Sequence, residues 1–331
     1  MARVGRAQQR VESQIKLSAW INPRPQDDEL TFLRQLGLSH CYTWLPDELT
    51  NYDYMTSLVD RVARAGLTLY NVGNLNLGKS PRIHLGLPGR DDDIARFAQM
   101  LRDLGRAGIG TTTFTWEPDQ VWSSAPSQSR FAKARHVDLA GLKSQSFTHD
   151  REYSLDELWA NFAYFMRAVV PVAEACGVRL SMHPNDPPTD ALGGIPCLIN
   201  SRARYERAFA IADSPMLGME FCTGCWLEGG ANFGDMLASI HDFAAQKRIF
   251  IAHFRNVSAP QPVFTETFLD NGYFDMYAAM KAFVASGYDG TMILDHTPEF
   301  AGDFHLGAGT AYAIAYMRAL IERAEDELGA H

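Results

Sequence analysis

The sequence predicts a (β/α)8 barrel of the α/β class. Short apolar or β-branched runs alternate with longer amphipathic segments, the alternation repeats eight times, and glycines fall where the helical segments should stop. The strands are expected at 17–20 (LSAW), 40–44 (HCYTW), 67–72 (LTLYNV), 110–115 (GTTTFT), 178–183 (VRLSMH), 216–222 (MLGMEFC), 249–254 (IFIAHF) and 291–295 (TMILD). Helices are expected between them at 27–37, 53–66, 91–108, 154–176, 203–212, 232–246, 274–287 and 308–328. Ser154 followed by Glu157 reads as a capping box, and Asp53 and Asp91 are suited to begin helices. Gly37, Gly66, Gly108, Gly177 and Gly287 sit at the opposite ends. An open doubly wound sheet is the alternative, weakened because no G-x-G-x-x-G follows the first strand and no Walker loop occurs.

One barrel over 15–331, preceded by a loose tail at 1–14, accounts for the 331 residues, since such barrels routinely pass 250 residues as one unit. With 46% hydrophobic and 21% charged residues, the chain can build a large core. A net charge of −9 without a basic stripe argues against nucleic acid, which demands clustered Lys and Arg. No apolar run reaches the ~18 residues of a membrane span, and the polar N-terminal segment lacks the core of a secretory signal. Five cysteines without framework spacing suit a reducing compartment, so a cytoplasmic protein is expected. A homo-oligomer is compatible with this composition. Two long insertions follow the third and fourth strands, at 73–90 and in the connection to the helix at 154, both leaving the strand ends where barrel enzymes keep their active sites.

The last four strands each end in a side chain able to hold a metal: His183, Cys222, His253 and Asp295. In a barrel these ends converge on one mouth, so four distant residues can reach one ion. Mixed N, S and O ligation is compatible with Mn²⁺, Fe²⁺, Co²⁺ or Zn²⁺. Such an ion can stabilise an enediolate formed beside a carbonyl or carboxylate, as in dehydration or isomerisation of sugars. Cys225 completes a C-x-x-C with Cys222 but has no second pair, and it reads as a neighbour rather than a ligand.

The motifs HPNDPP (183–188), FCTG (221–224), HFRNV (253–257), GYFDMY (272–277) and DH (295–296) resemble the mannonate dehydratase family, whose barrel is xylose isomerase-like. The resemblance implies Mn²⁺- or Fe²⁺-dependent removal of water from a sugar acid, and it puts the ligands on the same four residues. The chain departs from the family's pattern at Asn185, where the family has Asp, and at Thr297-Pro298, where it has Gly-Arg. It departs again at Gly307-Ala308-Gly309, which lacks the family's tyrosine, and at TFTWEPDQVW (113–122).

Around the ligands, Arg255 can clamp a carboxylate bidentately and Asn256 and Asn185 can bind hydroxyls. Trp116 and Glu117 can meet a sugar ring. His296 and Asp186, each close to a ligand in sequence, are the acid/base candidates. The leading expectation is a metal-dependent lyase giving a 2-keto-3-deoxy acid from a small carbohydrate acid. A metal-dependent sugar isomerase or epimerase on the same barrel is the alternative, and a catalytically silent carbohydrate-binding barrel is a third.

Overall fold

The computed structural model describes residues 11–118, 121–302 and 305–329, from the backbone alone at 305 and 306. The first ten residues of the expected tail lie outside these. Eight parallel strands close in sequence order: β1 (Lys16–Trp20), β2 (His40–Trp44), β3 (Thr68–Gly73), β4 (Thr111–Thr115), β5 (Arg179–His183), β6 (Leu217–Cys222), β7 (Ile249–His253) and β8 (Thr291–Ile293). Pairing of Lys16 with Thr291 joins β8 to β1 and removes both sheet edges. The outer ring is α1 (Asp27–Gln35), α2 (Tyr52–Arg64), α3 (Arg90–Arg106), α4 (Leu155–Cys176), α5 (Arg202–Ala212), α6 (Met236–Ala245), α7 (Met276–Ala285) and α8 (His305–Gly329). No helix among the described residues is long and apolar enough to cross a membrane.

Local chemistry explains the element ends. Ser154 and Glu157 form the expected capping box on α4, and Gly177 closes that helix at φ 67°. Asp53 and Asp91 are not caps: Asn51 and Gly89 take that position. The two aspartates lie two positions past the caps, in the first turn, where the helix dipole favours a negative charge. Between helices and barrel, Phe97, Phe114 and Phe165 pack edge to face, with ring centroids 5.1–6.3 Å apart.

Both insertions are structured. Residues after β3 fold into two short helices, Leu75–Gly78 and Pro81–Leu85. The connection after β4 carries a hairpin (Ser127–Ser129 with Ala132–Ala134), then a strand, His136–Asp138. That strand pairs with Val263–Thr267, and Val263–Thr267 in turn pairs with Asn256–Val257, both from the loop after β7. A three-stranded roof therefore ties two distant loops together beside the mouth. The sequence reading missed it because the pairing is between segments more than a hundred residues apart.

Candidate metal centre and adjoining cavity

Alternation along a strand aims every second side chain at the barrel axis, so His183, Cys222 and His253, the last residues of β5, β6 and β7, share the mouth. Their ligand atoms all lie within 4.8 Å of one another. Asp295 stands just past β8, its Oδ1 3.6 Å from His253 Nδ1. It is held at φ 61°, a conformation that costs most residues energy and that Asp tolerates better than others.

The donor atoms are oriented for a cation. His183 Nδ1 lies 2.7 Å from the Pro184 carbonyl, which can only accept, so that nitrogen carries the proton and Nε2 is left free. His253 Nε2 lies 2.7 Å from Glu220 Oε1, while its Nδ1 is buried without a hydrogen-bond partner. Burial works against a charged His253, yet Glu220 and Asp295 raise its pKa well above the ordinary value, so a positive charge is favoured where an ion would sit. Burial also opposes ionisation of Cys222. A hydrogen bond with Cys225 and the charge of Arg255 outweigh it and hold the thiol well below its usual range. A thiolate, two imidazole nitrogens and a carboxylate fit a divalent ion.

Glu220 is a functional residue that the sequence reading missed. It lies two positions before Cys222 on β6, hence on the same inward face, and its signal was that period of two. A buried chain runs from Asn71 Nδ2 to Thr113 Oγ1 (2.9 Å) and on to Glu220 (3.5 Å). Such a carboxylate fixes the tautomer and ring angle of a ligand histidine.

Beside the centre lies a buried charge network. Arg255, 1% exposed, reaches Glu228 (3.0 Å), Asp186 (2.9 Å) and Asp295 (3.2 Å), and it also pairs with Glu266. Arg135 from the roof joins Asp186 (2.8 Å) and Glu266 (2.9 Å). Gly224 of the FCTG motif permits this, because a Cβ there would lie 2.4 Å from Arg255 Nε. Asp186, Cys225 and Glu228 also cluster as a metal site might. Two guanidiniums already neutralise that group, and burial together with the hydrogen bond to Cys222 keeps Cys225 a thiol.

Several sequence expectations need correction. Arg255 is buried and does not line the cavity, and its Nη1 and Nη2 are held by Glu228, Glu266 and Asp186, so it presents no edge to a substrate carboxylate. Asp186 is buried, and although burial opposes its charge, Arg135 and Arg255 bring its pKa down to about 2, which leaves it a fixed anion rather than a proton carrier. Asn185 is a loop pin, donating to the Trp116 carbonyl (3.1 Å) and accepting from the Ile199 amide (2.8 Å). Asn256 donates to the carbonyls of Leu269 and Phe274. Trp116 is wholly buried against Phe162 and Phe165, and Glu117 is paired with Lys79 at 2.8 Å.

His296 is different. Half of its side chain is exposed, with Nδ1 2.8 Å from Glu266 and Nε2 3.4 Å from Asp295. Burial lowers its pKa, but the two carboxylates prevail and raise it to about 9. It and Asp295 line a cavity of about 540 Å³. The far wall comes from strand ends that the sequence reading passed over, Trp20, Tyr42 and Trp44, together with Phe32 and Glu29 of α1.

Eight parallel strands ringed by helices, with His183, Cys222 and His253 grouped at the mouth as a metal-binding set could be, define a xylose isomerase-like TIM barrel. The fold is shared with a solved L-ribulose 3-epimerase (TM-score 0.62, 15% identity, 95% of this chain and 97% of that one). The profile of the D-mannonate dehydratase (UxuA) family matches residues 133–328. Mannonate dehydratase of Thermotoga maritima is 30% identical over 287 residues, covering 75% of this chain and 78% of that protein. Mannonate dehydratase 2 of Halalkalibacterium halodurans is 29% identical over 269 residues, covering 72% and 76%. The crystal structure of the Streptococcus suis serotype 2 mannonate dehydratase superposes with a TM-score of 0.84 at 25% identity, over 96% of this chain and 95% of that one. The chain belongs to the mannonate dehydratase family and is a sugar-acid hydro-lyase of that type.

Proposed function

We propose that the protein removes water from an aldonate to give a 2-keto-3-deoxy acid, with one divalent ion, Mn²⁺ or Fe²⁺, held by His183, Cys222, His253 and Asp295. The observation that carries this reading is the convergence of a thiolate and two oriented imidazole nitrogens beside a cavity, in a chain of this family. When bound, the ion acts as a Lewis acid on the substrate's oxygens and makes the hydrogen next to the carboxylate easier to remove.

The chain's own groups do the rest. His296, tethered to Glu266 and reaching the cavity, donates a proton to the hydroxyl that departs from C3. Loss of the C2 hydrogen as a proton to solvent, and of the C3 hydroxyl as water on the proton from His296, which solvent then restores, leaves an enol that tautomerises to the 2-keto acid. Glu220 keeps the His253 ring in register, and the Arg255 network anchors the loops that carry Asp186 and Glu266. The test is a panel of aldonates and ketoses with Mn²⁺, Fe²⁺ and Co²⁺. A 2-keto-3-deoxy acid is the expected product, whereas ketose–aldose exchange without loss of water would replace this reading with the isomerase.

A further inference from the structure

The cavity's outer wall has a chemistry of its own. Trp20 ends β1 and Trp44 ends β2, and strand pairing puts Trp20 beside Tyr42 and Trp44 beside Gly73. All three aromatic residues alternate onto the inward face, so three rings from two adjacent strands line the mouth across the barrel from His183 and Cys222 and beside β8, which leads to Asp295. Gly73 makes room for this wall, since a Cβ there would lie 2.3 Å from the Trp44 ring. Trp20 is 42% exposed, a large apolar surface left open in a cavity rather than packed in the core. The charged groups on this side are the carboxylates Glu29 and Glu299, the latter paired at its outer edge with Lys133 (2.9 Å), and among the described residues no Lys or Arg lines the cavity.

These features select a ligand. An open-chain polyol is hydroxylated on every side and would lose hydration against indole without compensation. A pyranose ring has a flat C–H face that lies on tryptophan while its hydroxyls turn to carboxylates at the edge. Glu29 repels an acid end while the charge of Glu299 is offset by Lys133, so the carboxylate turns inward toward His296 and the ring outward. About 540 Å³ falls in the range that encloses ligands of drug size, larger than one aldonate.

We propose that the substrate of this enzyme is a glycosylated aldonate, an aldobionate whose sugar ring stacks on Trp20 and Trp44 while its aldonate end occupies the metal side. The ring is attached at O4 or beyond, because the C2 hydrogen and C3 hydroxyl must stay free for elimination. The platform lies before residue 133, outside the stretch matched by the family profile, so this half can set specificity while the other keeps the chemistry.

This inference rests on the dehydratase reading, and the experiment separates the two. Metal-loaded enzyme is assayed with 4-O- and 6-O-glucopyranosyl aldonates of gluco and manno configuration, and with the parent aldonates. The expected result is a higher kcat/KM for a glycosylated acid. In Trp20→Ala and Trp44→Ala, the ratio of kcat/KM for glycosylated over parent acid should fall by about tenfold or more. Equal or better turnover of the parent acids, with that ratio unmoved in both variants, overturns the proposal. A second arm follows tryptophan fluorescence of the metal-free protein titrated with cellobiose, where saturable quenching lost in Trp20→Ala supports the platform and its absence overturns it. If no acid is dehydrated at full metal occupancy, the dehydratase reading fails, and the fluorescence arm still decides the platform.

Discussion

The two sides of the barrel mouth are built by one rule and filled with opposite chemistry. On both sides the last inward-facing residue of each strand sets the surface. At β5 to β7 those residues are His183, Cys222 and His253, backed by buried charges that leave almost no side-chain freedom. At β1 and β2 they are Trp20 and Trp44, backed by a glycine and open to solvent. The first arrangement tolerates little change, because every ligand depends on a partner from another strand or loop. The second can be repainted one residue at a time, which is how one scaffold hosts different substrates over the same reaction.

Substitution on the polar side should have the largest effects. His183→Ala and His253→Ala each remove an inner ligand from a site of four, and metal content with turnover should collapse in both. Full occupancy measured by elemental analysis in either variant would break the proposed centre.

His296→Asn should keep its metal and lose turnover by roughly 10²–10⁴-fold at saturating ion, the usual contribution of a positioned proton-transfer group. Activity within a few-fold of wild type would remove His296 from the chemistry. Glu220→Gln keeps the side chain's shape but weakens its hold on His253, so calorimetry should show metal affinity lower by roughly 10–100-fold, with turnover restored by excess ion. Unchanged affinity would make Glu220 a packing residue.

The smallest effect belongs to the aromatic side. Gly73→Ala should displace the Trp44 ring and cost about 1–3 kcal/mol of unfolding free energy, as overpacking does, with metal affinity unmoved. A large loss of metal there would mean that the two halves are coupled, and the contrast drawn above would fail.

How much of this could be read in advance depends on the range of the interactions. Strand and helix positions came out within a few residues, because alternation and helical periodicity are local, and Gly177 or Ser154 mark ends through their own backbone chemistry. Three of the four ligand candidates, His183, Cys222 and His253, stand at strand ends and come together within 4.8 Å, while Asp295 lies two residues past β8. Arg255 was misread as a substrate clamp because two of its partners, Asp186 and Glu228, arrive from the connections after β5 and β6 and the third, Glu266, from the far side of its own loop, and only the folded chain brings them within 3 Å or so. Trp20 and Trp44 obeyed the strand-end rule that found the ligands, yet they were not singled out because an indole cannot hold a metal.

The roof over the mouth has a consequence for how this protein can change through descent. His136–Asp138 and Val263–Thr267 are hydrogen-bonded to each other, and Arg135 and Glu266, which clasp across that seam, both reach the charges around Arg255. A lengthening or shift of the loop after β4 therefore drags the loop after β7 with it. The two segments are inherited as one part, and lineages that remodel one should be found to have remodelled the other in step.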